Sequence, residues 1–286
     1  MNLRVVKKKI KSIKNVKKIT KAMQMVSAVK MRKAQQAEME SRPYRDGLSE
    51  LIKKISSRID PAHVEILQVD TSLAKKSLVI VVTSNKGLAG SFNTNVLRHV
   101  IKDERNFNEL EFVTVGSKGS QFLGRLKGVH IIADFSSNNL VNEASAIFNL
   151  VIEKYMTGDY KTISIVYNQF ISTLKSVVVE PTILPFNLAG EHAPDEDFAH
   201  NEYIIEPSPK EILDQLLKSY IEQKVRGALI SSEAVEHSQR MMAMKSATDN
   251  ATDLIGQLTL LSNRLRQEKI TNELLDMITA KESVES

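Results

Sequence analysis

The last 77 residues, 210–286, contain no proline and follow a helix-start signal at Ser208, Pro209 and Glu211. Serine at the cap, proline at the first helical position and glutamate two places later form a capping box. Gly227 and Gly256 are the only glycines in that stretch, each costing about 1 kcal/mol relative to alanine. Fully helical, the segment spans about 110 Å at ~1.5 Å per residue. A helix of that length cannot fold back into a globule, so it needs a partner along its side. Within it Ala247, Ala251, Leu254, Leu258, Leu261 and Leu265 recur at alternating steps of four and three, which predicts a heptad seam. Small residues precede large ones, so the partner approaches closely at one end. After Leu265 the phase slips to Ile270, Leu274 and Met277, which reads as a stutter.

The partner is predicted at the other end of the chain. Residues 3–40 read as one helix, with no glycine or proline before Pro43, inside an N-terminal coiled-coil segment assigned to 1–58. On a helical wheel Val5, Val6, Ile13, Val16, Ile19, Met23, Val26, Met31, Ala34 and Ala37 fall in an arc of roughly 160°. Lys7, Lys11, Lys14, Lys18, Lys21 and Arg32 lie opposite, with Met25 and Val29 projecting from the basic side. The first acid is Glu38, so the first 37 residues carry +12. That leaves −7 of the chain's net +5 on the other 249. Such a block calls for a polyanionic partner, an acidic protein surface or an anionic membrane.

Between the ends the periodicity changes. Aliphatic, β-branched runs at Ser77–Thr83, Glu111–Val115, Val129–Ala133, Thr162–Tyr167 and Val177–Leu184 alternate with helical stretches near 92–103, 119–126 and 140–156. That alternation predicts an α/β domain over 77–186 with a largely parallel sheet. An acidic linker follows at 187–207, with a short Tyr203-Ile204-Ile205 run that could be an edge strand. The C-terminal coiled-coil helix is assigned to 208–286. The expected fold class is therefore α/β: a long antiparallel two-helix coiled coil formed by the chain ends, with an inserted small Rossmann-like α/β domain. The competing arrangement packs each helix separately on the central domain.

The residues exclude several functions. With no cysteine, disulfides, thiolate metal sites and cysteine nucleophiles are ruled out. Lys86-Gly87-Leu88-Ala89-Gly90 and Gly116-Ser117-Lys118-Gly119 each follow a strand, where a phosphate loop would sit, but neither completes a known phosphate-binding pattern. His63, His99, His130, His192, His200 and His237 form no metal-ligand pair, and no G-x-S-x-G elbow exists. No catalytic residue, cofactor or metal is expected. No run reaches the 18 or so apolar residues that a membrane span needs. Lysine recurs where the apolar core of a secretory signal would be, and the basic start runs on without a cleavage-like break, so it reads as part of the folded chain. The stretch His237–Asp253, with Met241-Met242-Ala243-Met244, reads as coiled coil with one wet side, or as an adaptable methionine surface.

Particular blocks carry a family resemblance. Lys18-Ile19-Thr20-Lys21-Ala22-Met23-Gln24-Met25-Val26, Lys30-Met31-Arg32-Lys33 and Ser41-Arg42-Pro43-Tyr44 resemble the start of the gamma subunit of F-type ATP synthase. Gly87-Leu88-Ala89-Gly90 resembles that family's first strand-turn-helix, and Glu206-Pro207-Ser208-Pro209 its entry to the C-terminal helix. Met244-Lys245-Ser246-Ala247-Thr248-Asp249-Asn250 is similar to its most distinctive block, and Arg266-Gln267 with Ile270-Thr271-Asn272-Glu273 to its last. The blocks occur in order over nearly the whole chain. Two departures, Ala251-Thr252 and Ala280-Lys281 where the family usually has glycines, favour straighter helix.

The resemblance implies a non-catalytic rotor stalk in the bore of three alpha and three beta subunits, with the α/β domain at the foot beside the epsilon subunit and the c-subunit ring. It implies a peripheral place on the cytoplasmic face of a bacterial plasma membrane. It also matches Lys21, Met23, Arg240, Arg266, Gln267 and Thr271 to rotor–stator contacts, with the carboxylate-bearing loops of the beta subunits as the acidic partner. The competing readings are a basic coiled coil that binds nucleic acid and an amphipathic helix on a membrane surface. Against the first, no aromatic interleaves the lysines. Against the second, the apolar arc holds no Trp, Phe or Leu after Leu3.

Overall fold

The computed structural model describes residues 2–56, 64–69, 71, 74–102, 106–137, 140–186 and 208–285. The 187–207 linker, with its candidate edge strand, and His63, His192 and His200 lie outside the described residues. The chain forms two compact units, one of Met1–Ser27 with Arg240–Ser286 and the other of Ala28–Gln239.

Two helices contribute to both units: α1, Leu3–Ser56, and α5, Pro209–Glu285. The predicted cap is present, since Ser208 Oγ accepts the Glu211 N–H at 3.3 Å. The helix read over 3–40 does not stop at Pro43. Proline lacks the N–H that would bond the carbonyl four residues back, a loss that ends most helices. Here the next turns are anchored. Arg45 reaches back across the proline to Glu38 at 2.7 Å, and Leu48, Ile52 and Ile55 are buried beyond it.

In the first unit the two helices run antiparallel. Thr20 meets Thr248 at 2.8 Å, and Lys14 through Met25 border Ile255. On α1 the covered positions Leu3, Val6, Ile10, Ile13, Lys17, Thr20, Gln24 and Ser27 alternate by three and four. This corrects the broad apolar arc. Val5, Val16, Ile19 and Val26 stay 46–60% exposed, because one partner helix covers a two-in-seven seam and not 160° of surface. Met25 and Val29 project outward as expected.

From Met244 onward the covered positions on α5 are Met244, Ala247, Thr248, Ala251, Ile255, Leu258, Leu261, Ser262 and Leu265. Five of the six predicted seam residues, Ala247, Ala251, Leu258, Leu261 and Leu265, are among them, and Leu254 is exposed. Thr248 and Ser262 turn inward beside Ala247 and Leu261, and Ile255 takes the place of Leu254. Hydropathy favoured the leucines, but the 3.5-residue period places small hydroxyl residues inward. Past Leu265 every described residue to Ala280 is exposed, because α1 begins at Leu3, opposite that level. The phase slip at Ile270, Leu274 and Met277 is therefore not a stutter within a seam. It belongs to a single helix that has outrun its partner.

The second unit holds the α/β domain. Its strands are β1 (Lys76–Val82), β2 (Leu110–Val115), β3 (His130–Phe135), β4 (Tyr160–Phe170), β5 (Ser176–Val179) and β6 (Thr182–Leu184). Its helices are α2 (Phe92–Lys102), α3 (Ser117–Leu123) and α4 (Ala144–Met156). The sheet order is β3-β2-β1-β4-β5. The first four strands are parallel, while β5 and β6 pair antiparallel with β4. The run read as one strand at Val177–Leu184 is thus two, parted at Glu180-Pro181, where proline offers no ladder donor.

Both sheet faces are buried, which is why β1 is continuously aliphatic. Leu78, Ile80 and Val82 pack with α4 (Ile147, Val151) and with Ile221, Val225, Ala228 and Leu229 of α5. Val79 and Val81 pack with Val96, Leu97 and Val100 of α2 and Leu123 of α3. Farther along the same unit, Leu48, Ile52 and Ile55 of α1 join Leu213, Leu217 and Tyr220 of α5, again antiparallel. At the N-terminal end of the sheet Glu111 accepts from Lys76 at 2.7 Å and from the Tyr160 hydroxyl. Lys76, then Tyr160, hold the Glu111 carboxyl below the ordinary carboxylate range, while burial, then Glu111, push the Tyr160 hydroxyl up.

Candidate functional site

An open parallel sheet takes its ligand beyond the carboxyl ends of the strands, where the strand order reverses. Here that place lies between β1 and β4, and α5 fills it. Val235 packs with Ala89, Phe92 and Phe170, and Ser231 Oγ accepts the Phe170 N–H at 2.8 Å. Ser238 Oγ donates to the Thr173 carbonyl at 2.6 Å, and Ser91 Oγ donates to Gln239 Oε1 at 3.0 Å. At the start of the polar stretch His237, Ser238 and Arg240 are buried, whereas Met242, Lys245, Ser246, Asp249, Asn250, Thr252 and Asp253 farther along are exposed, the wet side expected of a coiled coil.

The two glycine loops serve packing. Gly116 has φ +95°, and a Cβ there would sit 2.2 Å from the Thr83 carbonyl oxygen, so only glycine fits. The amides at the start of α3 are already bonded: Ser117 N–H to Asn85 Oδ1, Lys118 N–H to the Ser84 carbonyl and Gly119 N–H to Thr83 Oγ1. A phosphate would have to displace all three. Among the described residues no cluster of His, Asp and Glu could hold a metal ion, and no helix is long and apolar enough to cross a membrane.

The chemistry-bearing surface lies on the helices. Lys21 is exposed and donates to Gln24 Oε1 at 3.4 Å; Met23 is half-buried. Arg240 is only 7% exposed. Arg266, Gln267 and Thr271 are exposed, and Thr271 Oγ1 donates to the Gln267 carbonyl at 3.0 Å, which keeps those two on adjacent turns. The six predicted residues thus do not converge. Thr248, opposite Thr20, is 18 residues from Arg266, or about 27 Å along α5. Lys21 and Met23 mark one patch and Arg266, Gln267 and Thr271 another.

Two features escaped the sequence reading. A groove of about 490 Å³ is lined by Lys14, Lys17, Lys18, Lys21, Ala22, Met25 and Ile255. Its α1 members repeat at steps of three and four, a signal the wide-arc reading blurred. The second feature is the bare end of α5, with Ile270, Leu274, Leu275, Met277 and Ile278 exposed together. Exposed apolar surface of that extent marks an interaction site.

Comparison with known proteins places the chain in a family. A family model described as ATP synthase matches residues 2–284. The chain is 38% identical over 288 residues to the ATP synthase gamma chain of Geobacter metallireducens, covering 99% of each. It is 38% identical over 282 residues to that of Pelotomaculum thermopropionicum, covering 97% of each. Its fold resembles a chain of the Euglena gracilis mitochondrial ATP synthase, with TM-score 0.68 at 19% identity over 99% of this chain and 94% of that one. It also resembles a chain in a structure of the Tetrahymena thermophila ATP synthase central stalk and c-ring, with TM-score 0.57 at 24% identity over 80% of this chain and 99% of that one. With near-complete coverage at this identity, the chain belongs to the ATP synthase gamma chain family.

Proposed function

We propose that this chain is the central rotor stalk of an F-type ATP synthase, a non-catalytic subunit that couples rotation of a membrane ion-driven ring to the catalytic cycle of its partners. The observation that carries the reading is the end of α5, which continues past the start of α1 as a single helix with five apolar side chains exposed. Such a helix needs a surrounding sleeve, and a ring of three alpha and three beta subunits supplies one. ATP chemistry then resides on those subunits. The α/β domain sits beside the epsilon subunit and the c-subunit ring, and the chain is held peripherally at the cytoplasmic face of the bacterial plasma membrane through the complex.

Contact with the stator is assigned to Lys21, Met23, Arg240, Arg266, Gln267 and Thr271. The exposed members make direct contact, and Arg240 acts from its buried position by holding the local shape of α5. A rotor cannot hold any one position tightly. Exposed ion pairs of about 0–1 kcal/mol suit contacts that break and re-form at every step. No observation favours nucleic acid as the partner of the basic stripe.

The test is Lys21→Gln with Arg266→Gln in the assembled enzyme, measuring ATP hydrolysis and proton pumping together. Pumping per ATP should fall several-fold, and an unchanged ratio at unchanged hydrolysis would contradict the contact assignment.

A further inference from the structure

The groove on the helix pair is unusual in its charge. Lys14, Lys17, Lys18 and Lys21 stand on one stripe of α1 at steps of three and four, which brings like charges side by side, an arrangement that destabilises a helix on its own. Of the ion pairs among the described residues, none involves these four lysines. The rest of the lining is apolar: Ala22, Met25 and, across the seam, Ile255. Lysine stems cover apolar surface while their ammonium groups reach for water. The result is a groove of about 490 Å³ lined by three apolar side chains and four cations. From Lys14 to Met25 the stripe runs about 16 Å along the helix, comparable to an extended medium-length alkyl chain.

We propose that this groove binds a single-chain anionic amphiphile, a fatty-acid carboxylate, with the alkyl chain on Ala22, Met25 and Ile255 and the carboxylate among Lys14, Lys17, Lys18 and Lys21. A simple polyanion would leave the apolar side chains in water, and a neutral lipid would leave the amines uncompensated. Occupancy slows turnover, because Lys21 becomes unavailable to the stator. That consequence rests on the proposed contact role of Lys21, whereas the binding itself does not.

The test uses the assembled soluble ATPase and a dodecanoate that carries a photoreactive diazirine near its tail. Labelling should be saturable and map to the peptides containing Met25 and Ile255. Dodecanoate should compete, losing about fourfold in affinity for each methylene removed down to octanoate. Dodecyl maltoside and dodecyltrimethylammonium should compete at least tenfold less well, and Lys17→Gln with Lys18→Gln should weaken labelling about tenfold. Unsaturable labelling, equal competition by the neutral detergent, or no labelling because a partner segment covers the groove would each overturn the proposal. Tripolyphosphate competing as well as dodecanoate would overturn the amphiphile in favour of charge alone. Specific labelling with unchanged ATPase activity would uphold the site and contradict the contact role of Lys21, so the two readings fail separately.

Discussion

Gly227 and Gly256 lie in the same helix and cost it the same propensity, yet they do different work. A Cβ at Gly256 meets nothing within 4 Å, while one at Gly227 would stand 2.6 Å from Arg45 Nη1. That guanidinium is held by Glu38, which keeps it more firmly protonated than usual. Gly256→Ala should therefore stabilise the chain by about 1 kcal/mol in urea unfolding. Gly227→Ala should lose that gain or reverse it by expelling Arg45, and should recover it in an Arg45→Ala background. Equal effects of Gly227→Ala in both backgrounds would contradict the account. Glu111 sets a pH dependence. Its folded pKa is depressed, first by Lys76 and then by Tyr160, so its stabilisation is present above its ordinary value and lost as pH falls through the lower folded value. Between pH 6 and pH 3 the wild type should lose more stability than Glu111→Gln. Neither effect was legible in the sequence, because both depend on pairs that only the tertiary structure brings together: residues 45 and 227, and 76, 111 and 160.

At the scale of elements the sequence was informative in proportion to how far each element obeys one period. The central strands β1 and β2 were placed to within a residue or two, because a strand buried on both faces must be aliphatic throughout, whereas β3 and β4 extend farther than read and the run at Val177–Leu184 is two strands. The long helices were found, and the buried side of α5 was read at all seam positions but Leu254, whereas that of α1 was drawn too wide. Two-helix packing selects seven-residue spacing over hydropathy, so Thr20, Ser27, Thr248 and Ser262 turn inward while Ile19, Val26 and Leu254 turn out. The Thr20–Thr248 pair tests this directly. Both hydroxyls also face carbonyls of their own helices, Lys17 at 3.1 Å and Met244 at 2.8 Å. Either hydroxyl can donate across the seam, the other then donating to its own helix's carbonyl. Thr20→Val alone should cost about 1 kcal/mol, whereas Thr20→Val with Thr248→Val should be near neutral, since both partners go together. Additive losses in thermal unfolding would show that the hydroxyls are not paired. The end of α5 makes the opposite prediction. Removing residues 270–286 should leave the melting temperature of the isolated chain within about 1 °C, because those described side chains bury nothing within it.

For the whole molecule, the place where such a sheet would take a ligand is occupied by the chain itself. The sheet has the strand order of a ligand-binding fold, but the crevice at its order reversal is packed with Ser231, Val235 and Ser238 of α5, and the α3 amides are bonded within the chain. What remains for function is surface: a basic stripe, a lysine-rimmed groove and a length of helix with no partner of its own. Family blocks in the sequence pointed to the residues on that surface. The axial separation of the two proposed contact patches, and the burial of Arg240, needed coordinates. The most direct test of the rotor reading is purification from nuclease-treated cells through a tag inserted at Leu174, an 80%-exposed position on the β4–β5 hairpin, followed by native mass and ATPase assay. The account predicts an ATPase-active particle of several hundred kDa containing alpha and beta chains, whereas a lone chain that holds nucleic acid and releases it in high salt would contradict it.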